Sequence, residues 1–359
     1  MGADRSFTLL TRSTVAGWLR EENHGRLQTL WDTADAVRRQ YVGDAIHLRG
    51  LVEISNHCRR NCLYCGLRRA RTNLARYRMT TDEIVACAHE TRQRGYGTVV
   101  LQSGDDPGIG AAWLAEVIRR IKRECALAVT LSVGERTAGE LACWREAGAD
   151  RYLLRFETSD PKLYAVIHPG LQGRASHPTD RLAILAQLRA QGYEVGSGML
   201  IGIPGQTYSS LANDLLLFRE FDLDMVGVGP FIPHPATPLA QAANAPPHPD
   251  QVPRSELMTY KVLALTRLLC PEANIPSTTA LATLSDMREA APGLMRGANV
   301  VMPCLTPPPY LALYDIYPGK AETTSTEDWH HALREYLRTS GRPPGQGNGS
   351  RHAAVTKRS

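Results

Sequence analysis

Three cysteines fall within eight residues, Cys58, Cys62 and Cys65, in the run Asn56-His57-Cys58-Arg59-Arg60-Asn61-Cys62-Leu63-Tyr64-Cys65-Gly66. Thiolates this close can hold an iron–sulfur cluster. A 4Fe–4S cube usually takes four, so three leave one iron open to a substrate or cofactor. An aromatic residue before the last cysteine and a glycine after it suit a tight loop around such a cluster. Structural zinc is the rival reading. It takes four ligands, usually as two separated pairs, and the other cysteines (Cys87, Cys125, Cys143, Cys270, Cys304) are scattered singly.

Further chemistry gathers in short loops. Leu101-Gln102-Ser103-Gly104-Asp105-Asp106-Pro107 is rich in small residues that allow close backbone approach to a ligand. In Leu154-Arg155-Phe156-Glu157-Thr158, strand alternation points Arg155 and Glu157 to one side. The two could pair with each other, as buried charges tend to, or face a zwitterionic ligand. Glu157 would then accept from hydroxyl or ammonium groups and Arg155 would hold an anion. Pro204 and Gly205 force a turn in Gly202-Ile203-Pro204-Gly205-Gln206-Thr207, and Thr207 can cap the next helix. Thr278 and Thr279 could bind an anion or act as plain strand formers. His234, between prolines, reads as an exposed loop residue.

The elements that must position these loops follow from the apolar rhythm. Residues 8–42 read as two amphipathic helices, with Leu27, Leu30, Trp31, Ala34 and Val37 at helical spacing. Strands are expected at 47–54, 98–102, 126–132, 151–155, 194–201, 225–229, 275–279 and 299–302. Helices are expected between them, at 81–94, 111–124, 137–147, 181–191, 208–221 and 256–269. Eight strands alternating with helices indicate an α/β protein, a (β/α)8 TIM-type barrel with N-terminal capping helices. A doubly wound open sheet is the alternative. The expected organisation is a helical extension over 1–45, the barrel over 46–335, and a disordered basic tail over 341–359, where Gly and Pro are frequent.

Composition is that of a globular enzyme: 359 residues, 43% hydrophobic and 21% charged. A net charge of +5 gives little support for nucleic-acid binding, and no apolar run is long enough to span a membrane. The start lacks the long apolar core of a signal peptide. An oxygen-sensitive cluster belongs in a reducing compartment, so a cytoplasmic location is expected.

The cysteine run resembles the cluster loop of radical S-adenosylmethionine (SAM) enzymes. Several segments, NHCRRNCLYCGLRR, RYRMTTDEIV, VVLQSGDDP, EAGADRYLLRFET, GIPGQT, DMVGVGPFIPHPATPL, IPSTTA and GANVVMPCLTPPPY, resemble the HydE family, the radical SAM maturases of FeFe-hydrogenases. That resemblance implies one 4Fe–4S cluster on Cys58, Cys62 and Cys65, with SAM on the open iron. It implies SAM contacts from Tyr64, Ser103, Glu157, Arg181 and Tyr310, and a substrate cavity lined by Gln102, Arg155, Met225, Thr278 and Thr279. The implied substrate is a cysteine-bound Fe(CO)2(CN) species supplied by HydG, the product passes on through HydF, and a low-potential electron donor is required. Biotin synthase and methylornithine synthase share the barrel, so a related enzyme on another small substrate is the alternative. A non-catalytic electron-transfer or scaffold protein is the rival of another class. The chain departs from the family pattern at Phe156, in place of a histidine, and at Asp105, in place of a glutamate. The stretch 168–179 is longer, and no cysteine follows Tyr317 to hold a second cluster.

Overall fold

The computed structural model describes residues 10–171, 175–243, 248–278, 293–319 and 327–351. Two helices, α1 (Arg12–Arg20) and α2 (His24–Val42), open the chain. Asn23 caps α2 through its side chain, and Leu27, Leu30, Trp31 and Ala34 are buried. A parallel sheet follows: β1 (His47–Ser55), β2 (Thr98–Ser103), β3 (Ala128–Ser132), β4 (Arg151–Leu153), β5 (Glu194–Ile201), β6 (Met225–Pro230), β7 (Pro276–Ser277) and β8 (Val300–Val301). The helices between them are α3 (Thr81–Gln93), α4 (Ala111–Cys125), α5 (Ala138–Glu146), α6 (Pro161–Ile167), α7 (Pro178–Ala190), α8 (Tyr208–Glu220), α9 (Pro238–Ala242) and α10 (Glu256–Leu269). The short α11 (Pro308–Leu311) and α12 (Glu327–Thr339) come last.

The strands are ordered β6-β5-β4-β3-β2-β1-β8-β7. Between the two outer strands, Val226 N donates to Asn274 O at 3.0 Å, just ahead of β7. The result is a nearly closed (β/α)8 barrel, as expected. Parallel partners share a face, and one face of β1 is fixed by Gly50. A Cβ there would stand 2.5 Å from Thr91 Oγ1 of α3, so Gly50 faces the helices. Arg49, Leu51 and Glu53 therefore face the interior. Their register partners Thr98, Val100 and Gln102 do too, followed by Ala128, Thr130 and Ser132 of β3. The outward positions carry the apolar core: Val52, Ile54, Val99, Leu101, Val129 and Leu131 are buried against the helices.

The chain end differs from the expectation. Residues 341–351 do not form a loose tail; they close the floor of the barrel. Ile46 N donates to Pro343 O at 2.9 Å, and Gly345 N to Ile46 O at 2.7 Å. Asn348 O accepts from Thr98 Oγ1 and Arg151 Nη2, both at 2.9 Å. Gly349 O accepts from Asn274 Nδ2 at 3.0 Å and Arg49 Nη2 at 3.2 Å. Gly/Pro-rich composition denies the segment a core of its own. The strand ends, however, present buried donors that need carbonyl partners, and a glycine-rich chain can come close enough to supply them. Residues 352–359 of the expected tail lie outside the described residues.

A Cβ on Gly97 would stand 1.8 Å from Gly347 O. Gly97→Ala should therefore displace the floor segment and cost about 1–3 kcal/mol in the full chain. In a chain ending after Gly341 the same substitution should cost almost nothing. Thermal unfolding of the four proteins as a double-mutant cycle checks this; an equal loss in both backgrounds would refute the contact.

Candidate active site

The cysteine loop leaves the C-terminal end of β1 and is tied to its surroundings at many points. Arg59 N donates to Asp105 O at 2.9 Å, Leu63 N to Ile167 O at 2.9 Å, and Gly66 N to Ile316 O at 3.0 Å. Asn56 Nδ2 donates to Ala75 O and Leu313 O at 2.8 and 2.9 Å. Gly66 is required: a Cβ there would lie 2.0 Å from Asp315 O. Gly104, read from sequence as a place for a ligand to approach, packs instead against His57 of the cysteine loop.

The three thiols share one electrostatic environment. Burial pushes Cys62 up to about 11, with Arg181 opposing and Cys58 adding to the rise. Burial raises Cys65 further, and Cys58 and Cys62 add to it. Burial also raises Cys58. All three thiols are thus held toward the protonated form, and metal binding must displace protons. Among the described residues, no three His, Cys, Asp or Glu side chains converge on a single ion. Neighbouring soft donors spread around a loop fit a polynuclear iron–sulfur group.

Several expected ligand contacts stand beside the thiols. Glu157 is buried and has a positive φ of 68°, rare for a residue with a side chain. It lies within electrostatic reach of Tyr64 and Cys65. Arg155 Nη2 is 3.1 Å from Glu157 Oε2. The pair is not aligned as a hydrogen bond, so both atoms keep capacity for another partner. The pairing and ligand-facing readings of these residues are thus compatible. Arg181, which sequence alone would have left on a helix surface, is buried; its Nε donates to Glu135 Oε1 at 2.9 Å and its Nη1 to Arg155 O at 2.8 Å. Tyr64 donates its hydroxyl proton to His168 Nε2 at 3.0 Å. Arg181 also approaches that nitrogen at 3.3 Å, and a guanidinium can only donate, so Nε2 accepts and Nδ1 carries the proton. Ser103 donates to Gly104 O at 2.7 Å, and Gln102 Nε2 to Tyr314 Oη at 3.1 Å.

Other positions differ from expectation. Met225 lies at the floor of the barrel, where its Sδ accepts from Arg49 Nη1 at 3.0 Å. It starts β6, and active-site ends are strand finishes. Tyr310 turns its hydroxyl to Glu83 Oε1 at 2.7 Å and stacks on Tyr77 at 4.7 Å, which ties it to the start of α3. Thr278 Oγ1 donates to Val228 O at 3.3 Å; Thr279 lies outside the described residues. His234 is buried rather than exposed, with Nε2 3.0 Å from Asp315 Oδ2. Phe156 packs against Phe218 at 5.7 Å between ring centroids. Asp105 accepts from Arg60 Nε at 2.9 Å.

Sequence reasoning missed Arg49 and Asp214. Arg49 is a buried cation facing the interior, signalled only by a charge within an apolar strand. Asp214 of α8 accepts from Ser159 N at 2.6 Å and Ser159 Oγ at 2.5 Å. It thereby holds the turn that follows Glu157.

Comparison with known proteins bears on this site. Residues 52–218 match the Radical SAM superfamily. The chain is 46% identical over 311 residues to the [FeFe] hydrogenase maturase subunit HydE of Thermotoga maritima, covering 86% of this chain and 84% of that protein. It is 28% identical to 3-methylornithine synthase of Methanosarcina acetivorans, over 78% of this chain and 75% of that one. Among solved structures, methylornithine synthase (PylB) superposes with a TM-score of 0.81 at 26% identity, covering 96% of this chain and 97% of that one. The maturase HydG superposes with a TM-score of 0.76 at 19% identity, covering 99% and 79%, a likeness of fold.

Asp214 yields a pH prediction. Burial pushes its carboxyl up to about 7, against the Ser159 and Thr158 hydrogen bonds. Between about 4 and 7 the folded protein keeps a proton that the unfolded chain has released. Stability should therefore fall as pH rises through this window and stay lower above it. Asp214→Asn removes the titration. Relative to the variant, the wild type should lose about 2–3 kcal/mol between pH 5 and 8. Denaturant titrations at fixed pH values check this, and parallel pH curves would refute it.

Proposed function

Since this chain belongs to the HydE family of radical SAM enzymes, we propose that it acts in FeFe-hydrogenase maturation, on a cysteine-bound Fe(CO)2(CN) species held inside the barrel. One observation carries the reading: three coupled thiols stand at the C-terminal end of the barrel strands with a strained, buried Glu157 beside them. Catalytic groups of such barrels gather at that end.

Cys58, Cys62 and Cys65 would hold a 4Fe–4S cluster, which when bound would supply the electron for cleavage of SAM to methionine and a 5′-deoxyadenosyl radical. The residues around it orient the reactants. Glu157 accepts hydrogen bonds from the ribose of SAM, and its positive φ commits the carboxylate to one direction. Arg181, held from behind by Glu135, offers its remaining donor to the methionyl carboxylate. Ser103 and Tyr64 flank the same ligand, and Tyr310 closes over it after leaving Glu83. Below, Gln102, Arg155, Thr278 and Thr279 supply donors to an anionic substrate, with Met225 as the floor. A buried anion needs such donors. The substrate arrives from HydG, the product leaves through HydF, and the reactions belong in a reducing cytoplasm.

The test is anaerobic maturation of apo-hydrogenase with HydF, HydG and this protein as the sole third component. Hydrogen evolution should be restored. Failure with SAM cleavage intact would favour a methylornithine-synthase-like substrate. Glu157→Gln removes the charge from a hydrogen bond worth about 1.5–3 kcal/mol. SAM should bind about ten- to a hundredfold more weakly while iron content stays unchanged. Unaltered SAM affinity in calorimetry would leave Glu157 as a partner of Arg155 alone.

A further inference from the structure

Two donors face one nitrogen beside the cysteine loop. His168 ends α6 and is 3% exposed. Its Nε2 lies 3.0 Å from Tyr64 Oη and 3.3 Å from Arg181 Nη1. A neutral imidazole nitrogen has a single lone pair, so it accepts well from only one of them. Burial, with Arg181 close by, holds the ring neutral. The ring is also fixed in place. It meets the Tyr64 ring edge-on at 5.5 Å between centroids, and the Tyr164 ring lies 4.2 Å away. Leu63 N donates to Ile167 O at 2.9 Å, which staples the residue before Tyr64 to the residue before His168.

Tyr64 has a second polar neighbour, because its hydroxyl is a hydrogen-bond partner of the Cys62 side chain. While Cys62 is protonated, its thiol can donate to the Tyr64 oxygen, and the Tyr64 proton is free to serve His168. Loading a cluster reverses these terms. The Cys62 S–H bond is replaced by a bond from sulfur to iron, and the proton leaves to solvent. The sulfur can then only accept. Tyr64 has one proton to give, and Arg181 already stands in place to supply His168 Nε2.

We propose that Tyr64 turns its hydroxyl proton from His168 to the Cys62 sulfur when the cluster is bound, and that His168 is a positioning residue that sets the strength of this bond by competing for the proton. The inference rests on the cluster reading above and adds a control on the reduction potential. A donor aimed at a cluster sulfur stabilises the extra negative charge of the reduced state and so raises the potential. A neutral acceptor that draws on the same donor lowers it again. Arg181 enters the balance too: whatever draws its Nη1 away from Nε2 strengthens the hold of His168 on Tyr64. Only a hydroxyl proton changes acceptor in this exchange.

The experiment uses the full chain with its cluster reconstituted, in the absence of SAM. Iron and sulfide per chain come first; their absence from the wild type would overturn the cluster reading and this inference with it. Equilibration with viologens of known potential then gives the ratio of reduced to oxidised cluster by electron paramagnetic resonance. Tyr64→Phe keeps the ring and removes the donor. At a fixed viologen poise its ratio should fall about fivefold, as for the loss of one hydrogen bond. His168→Phe keeps a flat ring and removes the acceptor, so its ratio should rise. The double variant should match Tyr64→Phe, because His168 acts only through Tyr64. In the wild type, transfer to heavy water should shift the iron–cysteine sulfur stretching bands in resonance Raman, a measurement that needs no variant to fold; Tyr64→Phe should shrink that shift. A ratio unchanged in Tyr64→Phe would overturn the proposal. So would a His168→Phe ratio at or below the wild type, a His168→Phe effect that persists without the Tyr64 hydroxyl, or wild-type bands that ignore deuterium.

Discussion

A buried carboxylate holds the active end of this barrel together. Asp106 has no exposure, yet its oxygens accept from Ser55 Oγ at 2.6 Å, from Arg78 Nε and Nη2 at 2.7 and 2.8 Å, and from Gly108 N at 2.8 Å. Burial alone would raise its carboxyl; the Arg78 and Ser55 hydrogen bonds outweigh it and pull the group below its usual range. These contacts join the end of β1, the loop after β2 and the strand-like return at Arg78. The whole cysteine loop is strung between those points. Its neighbour Asp105 adds the Arg59 and Arg60 contacts from within the loop. Removing either partner from such a pairing leaves a buried charge uncompensated, a large penalty, so the geometry of the thiols depends on this pair of acids, one of which, Asp105, also offers its backbone N–H to Cys58.

The cost of burial shapes the thiols as well. All three cysteines are shifted toward the protonated form. Iron must therefore compete with protons, and the arginines of the same segment ease that competition by stabilising the thiolates. Arg155 and Glu157 share a similar logic. Each offsets the charge of the other while keeping atoms available for a ligand, so two charges can wait in a low-dielectric interior without a bound molecule. Strain at Glu157, held by Asp214 through Ser159, fixes where that carboxylate points.

Much of this was legible in the sequence because it is local. Strand β5 falls at the residues the alternation indicated, and the Thr80/Glu83 capping box marks the start of α3. The cysteine spacing drew attention to one loop, and Arg155 and Glu157 do meet, although β4 ends at Leu153 and the positive-φ turn at Glu157, not continued alternation, sets the pair. What was not legible depends on contacts distant in the chain. No periodicity reveals that His234 meets Asp315, that Tyr310 reaches back to Glu83, or that Asp214 supports the Glu157 turn. Met225 starts its strand rather than finishing it, and that alone places it at the floor. Gly- and Pro-rich residues 341–351 misled because composition reports what a segment can bury by itself, not what it can seal for another element.

That seal bears on how the protein is made. The backbone of Ile46 and the side chains of Arg49 and Thr98 all hydrogen-bond to residues 343–349, far away in sequence. Contacts of such long sequence separation form slowly. While translation continues, the lower end of the first two strands has unpaired donors and an open passage into the barrel. Until then the barrel is a cylinder open at its base, and the docking of residues 341–351, rather than the appearance of the eighth strand, is what seals its lower end.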